Sequence, residues 1–101
     1  MRLVVILSPT NKRGTKMPYT TMRKFLVSDG YECVAPEVFI RVVTGRKGAE
    51  KHIRRLEEHD PGTGTIRVFR LTEKQYAGMQ YLTGGPSAQE QIVGKNNHIA
   101  L

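Results

Sequence analysis

Twelve lysines and arginines between positions 2 and 55 are the residues of this chain best suited to chemistry with another molecule. They fall in two groups. Arg2, Lys12, Arg13, Lys16, Arg23 and Lys24 all precede the first acid, Asp29. Arg41, Arg46, Lys47, Lys51, Arg54 and Arg55 follow, with only Glu50 among them. Ammonium and guanidinium groups of this kind neutralise phosphates and release their counterions. They hold a nucleic-acid backbone without reading its sequence. Lys12, Arg13, Lys16 and Arg23 are the first candidates for such contacts, and Arg46, Lys47 and Arg54 the next. A net charge of +7 over 101 residues fits a polyanionic partner, and equally a soluble surface that docks an acidic protein.

Other reactive side chains are sparse. Asp29 and Asp60 stand beside glycine or proline and shape helix ends, while Glu50, Glu57 and Glu58 share one helical stretch with His52. No carboxylate pairs with a histidine at metal-ligand spacing. His52 reads as a half-buried helix residue, and His59 and His98 are isolated. Ser8 ends an apolar run, but a serine is a weak nucleophile without a base, and its bland reading is a hydroxyl that caps a loop amide. The stretch TGRKG at 44–48 lacks the spacing of a nucleotide-hydrolase phosphate loop. Cys33 is the one cysteine, so an internal disulfide and a CxxC unit are both excluded. A reduced, cytoplasmic setting follows from this reading. No run approaches the roughly 18 apolar residues of a spanning helix, so a membrane partner is not expected.

The elements that would position these groups are legible from periodicity. Residues 2–7, RLVVIL, are apolar at both alternate sets of positions, as a central strand requires. Residues 8–17 read as a basic loop. A helix follows over about 18–28, with Tyr19, Met22, Phe25 and Leu26 on one side and Gly30 beyond its end. Residues 31–43 hold two strands broken near Pro36, which cannot donate to a ladder. After the basic turn at 44–48, a second helix spans about 48–59 with Ala49, His52, Ile53 and Leu56 inward. Residues 65–71 form a last strand. Residues 72–82 read as a short helix capped by Thr72, with Glu73 in its first turn.

Strand, helix, strand, strand, helix, strand is the α+β, ferredoxin-like βαββαβ sandwich, with two helices on one face of a four-stranded antiparallel sheet. The predicted domain is 1–83, and 84–101 is a C-terminal extension. Because the first strand is apolar on both sides, its helix-free face needs a cover, and a second copy is the simplest one.

Three stretches carry a resemblance over nearly the whole chain: MRLVVILSP at the start, MRKFLVSDGY leading into EVFIRV, and AEKHIRRLEEHDPGTGTIRVFRLTEKQYAGMQYLTG at 49–84. The chain resembles the small CRISPR-associated adaptation protein family. Its TEKQY stretch is similar to the versions that accompany type II, single-effector systems. The resemblance implies a sheet-to-sheet homodimer whose C-terminal strand packs on the partner subunit. It also implies two further partners, the larger CRISPR integrase subunit and short double-stranded DNA, with the type II effector machinery as a third.

Some family members are described as magnesium-dependent nucleases acting on RNA or double-stranded DNA, through an aspartate at the end of the first strand. The resemblance sets Ser8 at that position, and a neutral hydroxyl cannot do the electrostatic work of a carboxylate. The expected function is therefore a non-catalytic DNA-binding scaffold of spacer acquisition, with no catalytic residue, no metal ligand and no cofactor. The alternative is the magnesium-dependent endonuclease, the one case that would require Mg²⁺. A toxin-like RNA interferase on the same small dimer is a third reading.

Overall fold

A computed structural model describes residues 1–10 and 16–86. Its strands are β1 (Arg2–Ser8), β2 (Glu32–Ala35), β3 (Val38–Val42) and β4 (Thr65–Leu71). They form one sheet in the order β2-β3-β1-β4, and all neighbours are antiparallel. The helices are α1 (Lys16–Ser28), α2 (Gly45–Glu58) and the short α3 (Glu73–Ala77). Element order and strand order together are ferredoxin-like, as the sequence predicts.

Alternation along β1 divides the molecule. Leu3, Val5 and Leu7 point to the helix side and are fully or almost fully buried. They share one core with Tyr19, Met22 and Leu26 of α1, Phe39 of β3, and Ala49 and Leu56 of α2. Both helices therefore cover the same sheet face. Each large aliphatic side chain buried there contributes about 1.5–3 kcal/mol. Val4 and Ile6 point the other way, with Val4 in register with Ile40 of β3 and Phe69 of β4. On that helix-free face Val42 and Phe69 remain 51% and 43% exposed, a surface an isolated sheet does not favour.

The helix boundaries differ from the sequence reading at three places. α1 begins at Lys16, ahead of Pro18, because first-turn amides have no intrahelical acceptor and proline is tolerated among them. α2 begins at Gly45, so residues 45–48 are its first turn and not a separate basic turn. Gly45 adopts φ +63° and turns the chain into the helix. α3 stops at Ala77 and does not reach residue 82. It has no buried residue to extend it, and rests instead on a capping box in which Gln75 N donates to Thr72 Oγ1 (3.0 Å) and Thr72 N to Gln75 Oε1 (2.9 Å). The Thr72 cap is as predicted. The extension from 87 onward, including its proposed crossing strand, and the loop carrying Lys12 and Arg13 lie outside the described residues.

Candidate nucleic-acid interface

Helical spacing sorts the cations of α2 into two sides. Ala49 and Leu56 fix the buried stripe. Lys47, Lys51 and Arg54, at i, i+4 and i+7, then fall together on the outer side and are all exposed. None of the three forms an ion pair among the described residues. They span about 10 Å of helix axis at 1.5 Å per residue. Three unneutralised cations in a row suit a run of backbone phosphates. Lys51 is absent from the sequence-derived candidates, although its spacing from Lys47 and Arg54 is the signal that places it there.

The other predicted residues meet different fates. Arg46 is 83% exposed and makes a surface ion pair with Glu50 at 3.1 Å, an i,i+4 contact worth a few tenths of a kcal/mol. Arg23 is engaged: its Nε and Nη2 donate to the two oxygens of Glu37 at 2.6 and 2.8 Å. That hydrogen bonding raises the guanidinium pKa above its usual value. Glu37 holds φ +66° in the turn between β2 and β3, a conformation side chains rarely adopt. The fork of Arg23 thus braces a strained turn. Lys16 opens α1.

The inner side of α2 gathers charged groups from three elements. The Asp29 carboxylate, 9% exposed beyond the end of α1, accepts from Arg55 Nε at 3.2 Å and from Arg55 Nη2. His52 Nδ1 faces Asp29 Oδ2 at 3.5 Å, too long for a strong hydrogen bond. On the other side of the ring, Arg41 Nε donates to His52 Nε2 at 3.2 Å, and Arg41 Nη1 donates to the Asp29 carbonyl. Burial, then the Arg41 charge, lower the His52 pKa. The neutral ring accepts from Arg41 at Nε2, so its proton sits on Nδ1 toward Asp29. Tyr31 lies in the same region, and burial followed by the Asp29 charge push its hydroxyl up to about 12. Asp29, Arg41 and Arg55 are therefore structural. Residues 29, 41 and 52 carry no sequence signal of their meeting.

At the end of β1, Ser8 lies across from Thr65, and Arg67 Nη1 sits 3.5 Å from Ser8 Oγ. Tyr19 closes this end on the helix side by donating its hydroxyl to the Thr63 carbonyl at 2.6 Å. The approach is tight: a Cβ on Gly64, which adopts φ +72°, would lie 2.3 Å from Tyr19 Oη and 2.7 Å from the Ser8 carbonyl. Among the described residues no group of three His, Cys, Asp or Glu side chains could hold a metal ion. A groove of about 390 Å³ opens nearby between α2 and β4, lined by Ile53, Leu56, Ile66 and Val68, with Glu57 and Asp60 at its rim. No helix among the described residues is long and apolar enough to cross a membrane.

No family model matches the chain. Curated relatives do. A protein of Acidovorax ebreus (strain TPSY) described as CRISPR-associated endoribonuclease Cas2 is 38% identical over 94 residues, covering 92% of each chain. Proteins with the same description from Ligilactobacillus salivarius (34% identical, 83% of this chain and 84% of the relative) and Streptococcus mutans serotype c (33%, 83% and 78%) match over 85 residues.

Proposed function

The chain belongs to the CRISPR-associated Cas2 family, and from that membership we propose that it is a dimeric DNA-binding scaffold of the spacer-acquisition complex, bridging subunits of the larger integrase. One observation carries the DNA-binding part: Lys47, Lys51 and Arg54 form an exposed row on α2 with no ion pair among the described residues. Cations with no carboxylate to satisfy them are the ones that gain most from meeting phosphate. Lys12, Arg13 and Lys16 are the further candidates that the sequence offers, and Arg46 exchanges its weak pair with Glu50 for a phosphate at little cost.

The helix-free sheet face supports the dimer. Val42 and Phe69 are exposed beside Val4 and Ile40, and a second copy laid face to face buries them. The open edge of β4 and the apolar groove beside it suit the C-terminal strand of the partner subunit. The scaffold is non-catalytic in this reading, because Ser8 supplies a hydroxyl where nuclease chemistry needs a carboxylate. The nuclease description belongs to the relatives.

Titration of short duplex DNA, with the integrase subunit present and absent, tests the proposal. Salt-dependent binding that tightens with the integrase is the expected result. Binding that ignores salt, or integration that survives loss of the basic residues, contradicts it. Magnesium-dependent cleavage that purifies with the chain and disappears on substitution of Ser8 would instead favour the nuclease.

A further inference from the structure

Resting on the reading that the outer row of α2 meets duplex phosphates, we infer that Glu58 ends this row and fixes the path of a DNA strand over the helix. Glu58 follows Lys47, Lys51 and Arg54 at i+11, so it takes the fourth place on the same outer side. It is exposed and forms no ion pair among the described residues. Both helices pack on the sheet face opposite Val42 and Phe69, and this side of α2 points away from the sheet. A second copy on the helix-free face therefore leaves it open. The row is three cations followed by one anion, on a surface that the dimer does not cover.

The charge order of α2 is not one that stabilises a helix. Anions favour a helix at its N-terminus and cations at its C-terminus. The first turn of α2 has no acid and carries Arg46 and Lys47, while the last turn carries Glu57 and Glu58. Arg55, the basic residue of that last turn, is held by Asp29. Charges set against the local rule mark a surface kept for function. Distance then gives Glu58 its role. It lies about 6 Å beyond Arg54 along the helix axis, at 1.5 Å per residue. A DNA strand carries a phosphate for about every 3.4 Å of duplex axis, so a backbone continuing past Arg54 brings its next phosphates against the Glu58 carboxylate. The like charge turns the strand off the helix axis after Arg54. The duplex then crosses the first part of α2 instead of running its whole length. Glu57 does not share this role, since it lies one step around the helix and lines the groove toward β4.

Matched variants of the full chain, titrated with a short DNA duplex over a salt series and also melted, test this role. Glu58→Lys extends the row, and its slope of log affinity against log salt is expected to steepen by about 0.9, the worth of one added phosphate. Glu58→Gln only removes repulsion, and is expected to tighten low-salt binding by about two- to fivefold with the slope unchanged. Glu57→Lys makes the same change of charge toward the groove and is expected to gain less slope than Glu58→Lys. Both Glu58 variants are expected to melt no lower than wild type, because neither opposes the helix dipole. An unchanged slope in Glu58→Lys or unchanged affinity in Glu58→Gln overturns the inference. So does an equal gain in Glu57→Lys, which reports net charge alone, or a clearly lower melting temperature in Glu58→Gln, which makes the residue structural. Wild-type binding with no salt dependence, or a wild-type slope in Lys47→Ala/Lys51→Ala/Arg54→Ala, would overturn the underlying reading of the row instead.

Discussion

Arg54 and Arg55 are neighbours on α2 and do opposite work. Arg54 stands exposed in a row with Lys47 and Lys51 and forms no ion pair among the described residues. Arg55, one step around the helix, closes on Asp29, the nearly buried carboxylate beyond the end of α1. A count of charges treats the two alike. Pairing separates them, because a cation satisfied by a buried carboxylate ties helix to helix, while a cation met only by water is free to trade that water for phosphate. The outer side of α2 is thus an electrostatic surface, and the inner side is a joint between α1, β3 and α2.

The sharpest way to break this comparison is at the joint. Asp29→Ala leaves Arg55 without its carboxylate and removes the charge that faces half-buried His52, while Arg41 keeps the backbone carbonyl of residue 29. Loss of one partner from a buried pair costs about 3–5 kcal/mol, and the partial exposure of Arg55 reduces that to about 2 kcal/mol here. Urea unfolding measures it, and the duplex salt slope should stay at the wild-type value. If Asp29→Ala is as stable as wild type, the two sides of α2 do not differ as argued.

A smaller effect is expected at Arg23, which resembles the joint more than the outer row. Arg23→Gln is expected to lose about 1 kcal/mol, because the pair is part-exposed and Glu37 keeps its strained φ without its brace. The variant should leave the salt slope nearly intact. A slope that falls by a full unit would move Arg23 back among the phosphate contacts that its sequence position predicts.

The smallest effect is the pH dependence of the joint. Burial, and then the Arg41 charge, hold the folded His52 pKa below the ordinary imidazole value of 6.5. Above pH 6.5 the ring is neutral in both states and the full stability is present. As pH falls below 6.5, the unfolded chain binds a proton that the folded chain refuses, and stability is lost until the depressed folded pKa is passed. His52→Gln should flatten this part of the profile in urea unfolding at stepped pH. An unchanged profile would show that the ring is not held neutral between Arg41 and Asp29.

Much of the fold is legible in the sequence because local patterns set it. β4 occupies 65–71 as read, and the two-sided apolar character of RLVVIL marks β1 as a central strand. Reading fails where glycine and proline mark breaks that tertiary packing overrides. Gly45 and Gly48 sit in the first turn of α2, where the burial of Ala49 and Leu56 outweighs their helix cost of about 1 kcal/mol each. The residues past Ala77 show the reverse, since Met79, Tyr81 and Leu82 stay outside the helix and exposed when nothing buries them. The candidate site is legible only in outline. Spacing on α2 reveals its outer row, but the capture of Arg23 by Glu37, of Arg55 by Asp29 and the approach of Arg67 to Ser8 depend on residues 14, 26 and 59 positions apart. Such pairs are fixed by sheet register and helix docking, which no local pattern encodes.

The central claim is that the unpaired outer row of α2 meets duplex phosphates. The direct measurement is the slope of log affinity against log salt for a short DNA duplex, in wild type, in Lys47→Ala/Lys51→Ala/Arg54→Ala and in Arg55→Ala. Each phosphate contact contributes about 0.9 to that slope. The triple variant is expected to lose between about two and three units of slope with stability within about 0.5 kcal/mol of wild type, and Arg55→Ala to keep its slope. A triple variant with the wild-type slope, or an equal loss in Arg55→Ala, would contradict the account.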